Sequence, residues 1–555
     1  MGLVDCLVGV RFHILTPMTV GRALLTSIVG LFIALAPARA RVSDHQWGLV
    51  KAKVERAWAD DDHERRAAAL EQLGFADRPE ATTWLARLIG ELSTARAQAE
   101  RDRNWLRGRA EANMAERERM SRLLQRRNWT DEEDAAYRVI ERRVDRQLGE
   151  LKDLEKALFQ SERLEFTAVR ALATHTDLEA RATRMLALDG ATGDHARGLI
   201  EALALAGDRE ALPRVRARIS DPDPNVAHAA ILACTDLGDT AAGDAIAAVL
   251  DHPRWRVRCA AIRALGALGT QGATGALVTR AERATGREAE DALASLVRIT
   301  GFDHETPTAW RTWFDANRER LATAIAERKV NAADVGRSIG PVAFYGLRTM
   351  SRKIAFAIDT SGSMGEPAGP VDPAVVAGAT DYPRDSTKLG VAKYELRRAM
   401  AAMPEGTRFN LVYFTSNVKI AEADGLITAT PDNVRKLSQW LRHEVDAAGG
   451  TDVYGGLRRA LAMADPPPTD DAPGSDAPPV REDEAPGIDT IYFLSDGAPS
   501  TGLLKDYPAI LDDITRRNRR LGVAIHVVGV GRAVDAEFLA ALAGRNGGRF
   551  LHTQK

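Results

Sequence analysis

The sequence predicts a multidomain chain, all-α through its N-terminal part and α/β of the Rossmann-like kind at its C-terminal end. Three observations carry this expectation. Between Phe166 and Ile299, apolar and glycine positions recur every 31 residues. A period of that size marks a helical solenoid, whose units bury their apolar faces only against their neighbours. Ahead of it lie two long, charged segments with apolar residues at heptad spacing. Beyond about residue 350, short apolar runs alternate with helical stretches, the pattern of a mostly parallel sheet with helices on both faces.

At 555 residues the chain is too long for a single core. A formal charge of −2 supplies no bulk attraction for nucleic acid. Cys6 lies in the leading segment, while Cys234 and Cys259 fall in helical apolar patterns. The latter two read as small buried thiols, with a disulfide between neighbouring helices as the alternative.

Residues 1–40 have the layout of a secretory signal. Arg22 precedes an apolar run from Ala23 to Ala36, followed by Pro37 and the triplet Ala38, Arg39, Ala40. The run is shorter than the roughly 18 residues a spanning helix wants. Export to the periplasm or medium is therefore expected, with an inner-membrane anchor as the alternative if the segment is retained. Met18 is an alternative start.

Residues 41–164 form the first helical region. Arg65 to Ile89 reads as two short helices about a turn from Gly74 to Pro79. An arginine-rich helix then continues to about Arg127, with Asp102, Glu111, Glu116 and Glu118 interspersed as on a solvated coiled-coil face. Asn128 and Trp129 interrupt it, and Thr130 with Glu133 forms a capping box opening the next helix. That helix sets Tyr137, Ile140, Val144, Leu151, Leu154 and Leu158 on one seam, with Gln147 the exception. The short turn implies an antiparallel hairpin.

Residues 165–320 hold the repeats. Ile200, Ile231, Ile262 and Leu293 are in register, as are Gly207, Gly238 and Gly269. Each unit supplies an Asp/Pro turn, a helix, a Leu-Gly stop and a second short helix. This pattern resembles HEAT repeats. Trp255 and Arg256 are candidates for a binding face, with packing and surface solvation as alternatives. Trp310, Trp313 and Phe314 look like a terminal cap.

Residues 321–350 read as a joint whose aromatics (Phe344, Tyr345) dock the last domain against its neighbour. The α/β domain spans 351–555. It carries two insertions, Gly365–Ser386 and an acidic loop at 465–487 expected to be disordered.

The chemistry concentrates at strand ends. The run KIAFAIDTSGSM ends a buried strand on Asp359 and continues into a loop bearing Ser361 and Ser363. Thr451 follows Gly449 and Gly450, and Asp496 closely follows the β-rich run Ile488–Leu494. In an open parallel sheet such loops converge at the carboxyl edge, and an array of hydroxyl and carboxylate oxygens suits a hard divalent cation.

On these residues the region resembles a von Willebrand factor A domain with its metal-ion-dependent adhesion site. The resemblance implies that Ser361, Ser363 and Thr451 touch the metal and that Asp359 and Asp496 hold it mainly through water. The ion would be Mg²⁺, with Mn²⁺ or Ca²⁺ as alternatives, and a partner's acidic group would complete its coordination.

No H-E-x-x-H, P-loop or G-x-S-x-G motif is present, and neither serine has a histidine near it in sequence. The expectation is a non-enzymatic, exported bacterial scaffold or adhesion-type protein. It would bind an acidic protein partner through the metal, with no nucleic acid and a membrane only through a retained signal segment. The alternatives are a structural protein whose metal site is liganded by one of its own acids, and a non-catalytic regulatory subunit of a larger complex.

Overall fold

The computed structural model of the chain describes residues 42–60, 62–76, 78–124, 130–327, 340–369, 387–422, 425–464, 487–532 and 534–553. The expected signal segment, the expected turn at Asn128 and Trp129, most of the Gly365–Ser386 insertion and nearly all of the segment expected to be an acidic loop lie outside them.

Two helices, Pro79–Leu124 and Asp131–Ala173, form the hairpin. Its register is antiparallel. Asn113 donates to Gln147 at 2.7 Å, Arg107 pairs with Glu155, Ser93 donates to Glu165 at 2.8 Å, and Thr82 meets His175 at 2.8 Å. Gln147 is not a gap in the seam but a buried member of it, held by that amide bond. Thr130 and Glu133 close the capping box in both directions, a device worth about 1 kcal/mol.

Two boundaries move. The second of the two helices expected before Ile89 is not short. It runs on into the arginine-rich helix, because nothing between Pro79 and Leu124 stops it. The second hairpin helix passes beyond residue 164, where the domain boundary was expected. Leu164, Ala168, Val169 and Leu172 continue its buried stripe up to Ala173.

The repeats follow as short helices paired with longer ones: Gly193–Leu205, Pro224–Asp236, Trp255–Leu268 and Gly286–Thr300 are the longer members. Ile200, Ile231, Ile262 and Leu293 all lie in their shared core. Gly207, Gly238 and Gly269 adopt φ of +67°, +66° and +65°. That left-handed conformation ends each longer helix and is inexpensive only for glycine. Trp310 is fully buried and packs edge-on against Trp313 at 5.7 Å, closing the end of the array. Cys234 and Cys259 are separate buried thiols.

The α/β domain begins earlier than expected. Strands β1 (Val342–Phe344) and β2 (Leu347–Thr349) form an antiparallel hairpin. Phe344 and Tyr345 are buried in the domain's own core, with Phe344 5.5 Å from the Phe356 ring. These residues are therefore part of the domain and not an exposed joint. The main sheet is built from β3 (Lys353–Asp359), β4 (Arg408–Phe414), β5 (Val418–Ile420), β6 (Ile427–Thr428), β7 (Thr490–Ser495), β8 (Ala524–Gly529) and β9 (Phe550–His552). Its order is β5-β4-β3-β7-β8-β9, with β6 also beside β4.

The strands β4, β3, β7, β8 and β9 are parallel. On β3, Ala355 and Ala357 face one helical layer, while Ile354, Phe356 and Ile358 face the other. Burial on both faces explains the unbroken apolar run. The chain leaves β3 toward β4 on one side, and β7 lies on the other. The carboxyl end of β3 is thus the switch point of the sheet.

The face made by the longer repeat helices is not open. Helix Tyr507–Leu521 of the α/β domain lies against it. Arg519 pairs with Asp236 of the repeats at 2.5 Å, while Arg520 and Arg517 reach the neighbouring hairpin helix at Glu165 (3.4 Å) and Glu162. From the repeats, Arg256 donates to the Ala464 carbonyl at 2.8 Å and Arg263 to that of Gly522 at 3.3 Å. Thr349 donates to Glu290 at 2.7 Å. Arg256, a candidate for an external binding face, is spent on an internal one.

Candidate metal site

Asp359 is the last residue of β3 and is fully buried. One carboxylate oxygen accepts from the Ser361 amide at 2.9 Å, the other from the Ser495 hydroxyl at 2.6 Å. Burial pushes its carboxyl up to about 6, against the pull of those hydrogen bonds. From Ser361 the cluster continues sideways. Its hydroxyl lies 3.2 Å from that of Ser363, which donates to Asp496 Oδ1 at 2.8 Å.

Asp496 follows directly on β7. The parallel register places Ile358 opposite Leu494, so the strand ends bearing Asp359 and Asp496 emerge side by side. Four of the five expected residues therefore form one hydrogen-bonded cluster.

Thr451 joins through its loop. The Gly362 amide donates to the Gly449 carbonyl at 3.0 Å and the Ala448 amide to the Thr360 carbonyl at 3.0 Å. The Thr451 amide donates to Ser500 Oγ at 2.8 Å. Two glycines let the loop approach so closely. Gly449 has φ of +75°, and a Cβ on Gly450 would sit 2.8 Å from Ser500 Oγ. Asp452 then caps helix Val453–Leu461 by accepting from the Gly455 amide at 2.8 Å. Three loops distant in sequence thus share one rim.

The donors fit a hard divalent cation in type. They are three hydroxyls and two carboxylates, all oxygen, on three rigid strand or helix ends. Among the described residues no group of three or more His, Cys, Asp or Glu side chains gathers around such a site. A cation here would depend on the hydroxyls.

Sequence reasoning missed Lys388. Its ammonium is 2.8 Å from Asp496 Oδ2 and 2.8 Å from Glu366 Oε2. Burial works against its charge, but the bonds to Asp496 and Glu366 outweigh that and raise its pKa. A signal was available: Lys388 is the first residue of helix Lys388–Ala401, behind the cap Thr387. A cation at that end opposes the helix dipole, so its placement calls for a partner. Ser495 and Ser500, which brace Asp359 and Thr451, carried no comparable signal.

Residues 184–251 match the family model for HEAT repeats. Over 193 residues the chain is 26% identical to human inter-alpha-trypsin inhibitor heavy chain H6, covering 35% of this chain and 12% of that protein. The chain thus spans about an eighth of the curated relative's length. Among solved structures, a von Willebrand factor type A protein from Catenulispora acidiphila is 19% identical. The likeness covers 37% of this chain and 40% of that one, with a TM-score of 0.27. The PilB minor pilin from Streptococcus sanguinis is 14% identical over 36% of this chain and 56% of its own, with a TM-score of 0.23. Those scores are low, so the sheet order and the switch-point loops carry the assignment of the C-terminal fold. The chain joins a helical region, matching HEAT repeats over residues 184–251, to a C-terminal α/β domain of the Rossmann-like kind with a mostly parallel sheet.

Proposed function

We propose that this chain is a non-catalytic, protein-binding scaffold whose α/β domain takes up a divalent cation, Mg²⁺ first, and offers it to an acidic side chain of a protein partner. The carrying observation is the convergence of Asp359, Ser361, Ser363 and Asp496 in one cluster beside the Thr451 loop. Ser361, Ser363 and Thr451 would hold the ion directly, and Asp359 and Asp496 would hold it mainly through water. A bound cation would supply the local positive field that attracts a carboxylate. Ser495 and Ser500 keep Asp359 and Thr451 in position.

The leading segment favours action outside the cytoplasm. Sequencing the N-terminus of the protein from fractionated cells tests that part, with cleavage after Ala40 expected. For the metal, isothermal titration with Mg²⁺ and Mn²⁺ should show one site in the native chain, lost in Asp359→Ala and weakened in Ser363→Ala. Equal binding by all three would end the proposal.

A second reading has its own observation. Glu366 and Asp496 share the Lys388 ammonium, so one of the chain's own acids already stands at the rim. In that reading Glu366 fills the open coordination position and the metal only stabilises the domain. Glu366→Ala made in a Lys388→Met background separates the two, since with the ammonium gone self-ligation predicts weaker metal binding and partner capture predicts no change.

A further inference from the structure

A second polar site lies far from the carboxyl edge of the sheet, where the hairpin, the repeats and helix Tyr507–Leu521 meet. A cavity of about 340 Å³ opens there, a volume within the range of small-ligand sites. Eight arginines line it against three carboxylates, Glu100, Glu162 and Asp194. Arg96 and Arg103 come from the hairpin, Arg197 and Arg256 from the repeats, Arg517 and Arg520 from the α/β domain.

The carboxylates at hand are shared. Behind the wall, Glu165 serves Arg96 at 2.7 Å, Arg520 at 3.4 Å and Arg197 as well. Glu162 is divided between Arg517 and Arg458, the latter at 3.9 Å. Glu100 bonds Arg96 at 2.8 Å and stands 3.6 Å from Arg103.

Arg103 is left worst served. Its side chain is 5% exposed, and its Nε, like that of Arg517, finds no hydrogen-bond partner among the described residues. Burial, together with Arg107, Arg517 and Arg458 nearby, pushes its guanidinium down to about 9 despite Glu100. Buried polar groups left in this state call for a ligand, water or ion. Guanidinium forks match the oxygens of phosphate better than any other side chain does.

We infer that this cavity is a binding site for a small, multiply charged phosphate anion, held by Arg103 and Arg517 and bridging the hairpin, the repeats and the α/β domain. No cation is needed for it, so it is independent of the metal site.

Titration of the full-length chain with inorganic pyrophosphate, in metal-free buffer at fixed ionic strength, tests this. One site per chain and a raised Tm are expected, with affinity falling as NaCl is raised. Arg103→Met should weaken binding at least tenfold, and Arg103→Lys should keep part of it. Asp359→Ala should bind pyrophosphate as the native chain does. Should Arg103→Met fail to fold, the Arg103→Lys affinity decides, because a loss there with an intact native-like spectrum still supports the site. Absence of binding to the native chain, or equal affinity in the Arg103 variants, overturns it.

Discussion

Lys388 stands 2.8 Å from Asp496 Oδ2 and is itself 9% exposed, so a side-chain ammonium ion already sits against one of the two carboxylates of the candidate metal site. A divalent cation entering there would share Asp496 with this resident charge or push it toward Glu366. Two positive charges about 4 Å apart at a protein surface repel by up to about 4 kcal/mol at an effective dielectric constant near 20, and side-chain movement relieves part of that. Lys388→Met should therefore tighten Mn²⁺ binding by about tenfold, equal to about 1.4 kcal/mol. In EDTA the same variant should lose stability, because Asp496 is left buried without its partner. Calorimetric titration and thermal melts with and without metal read both effects. Unchanged affinity would show that Lys388 does not compete.

The Thr451 loop depends on the absence of a side chain at Gly450. A Cβ there would meet Ser500 Oγ and Thr501 Cγ2, each at 2.8 Å. Gly450→Ala should displace the loop and cost about 1–3 kcal/mol in overpacking. The loss of metal affinity should exceed what the drop in Tm accounts for, because Thr451 moves with the loop. Equal affinities in the two chains would mean that Thr451 is not a ligand.

Much of this was legible in the sequence, for definite physical reasons. The 31-residue register of Ile200, Ile231 and Ile262 reports a repeated burial requirement, and Gly207, Gly238 and Gly269 report a repeated left-handed turn. Asp359, Ser361 and Ser363 were readable because a buried strand must end somewhere, and Asp496 because β7 ends beside it. What was not legible depends on contacts distant in sequence. Tyr345 looks like a surface aromatic until its ring is seen edge-on to Phe344, which packs edge-on against Phe356 in turn. The arginines of helix Tyr507–Leu521 look like a solvated face until Glu162, Glu165 and Asp236 are brought against them. Neither partner set has a spacing that sequence alone reveals.

Stability should fall as the solution is acidified, well before ordinary carboxylates titrate. Burial pushes the His228 imidazole down to about 3, aided by Arg263, Arg256 and Arg519. His526 is likewise pushed down to about 3 by burial and by Arg287 and Arg549. Both are neutral in the folded chain, whereas in the unfolded chain they take up a proton below about 6.5. Their contribution is therefore present above pH 6.5 and is lost as pH falls toward the folded value, at about 1.4 kcal/mol per pH unit for each. Asp359, pushed up to about 6, pulls the other way. The comparison between variants isolates the histidines. His228→Gln should flatten the decline of urea-unfolding stability between pH 6 and 4 by about 1.4 kcal/mol per unit, and an unaltered slope would refute its neutral burial.

Glu165 is the residue on which the attachment of the α/β domain turns. It is fully buried and accepts from Ser93 at 2.8 Å while facing Arg96, Arg197 and Arg520. Burial alone would raise its carboxyl, but Arg520, Arg197 and Arg96 hold it well below the usual carboxylate range. Arg96 belongs to the hairpin, Arg197 to the repeats and Arg520 to the α/β domain, so one carboxylate ties three parts of the chain. Glu165→Gln keeps the shape and removes the charge. Three guanidiniums are then left crowded around a neutral amide, and breaking a buried pair in this way costs about 3–5 kcal/mol. The loss falls on the contact between domains, because each domain keeps its own apolar core. Calorimetry should resolve two transitions in the variant where the native chain melts in one, and trypsin should reach Arg517 and Arg520 faster. A single transition at the native temperature would mean that the apolar contacts, such as Phe159 against Tyr454 at 6.1 Å, hold the domains together without it.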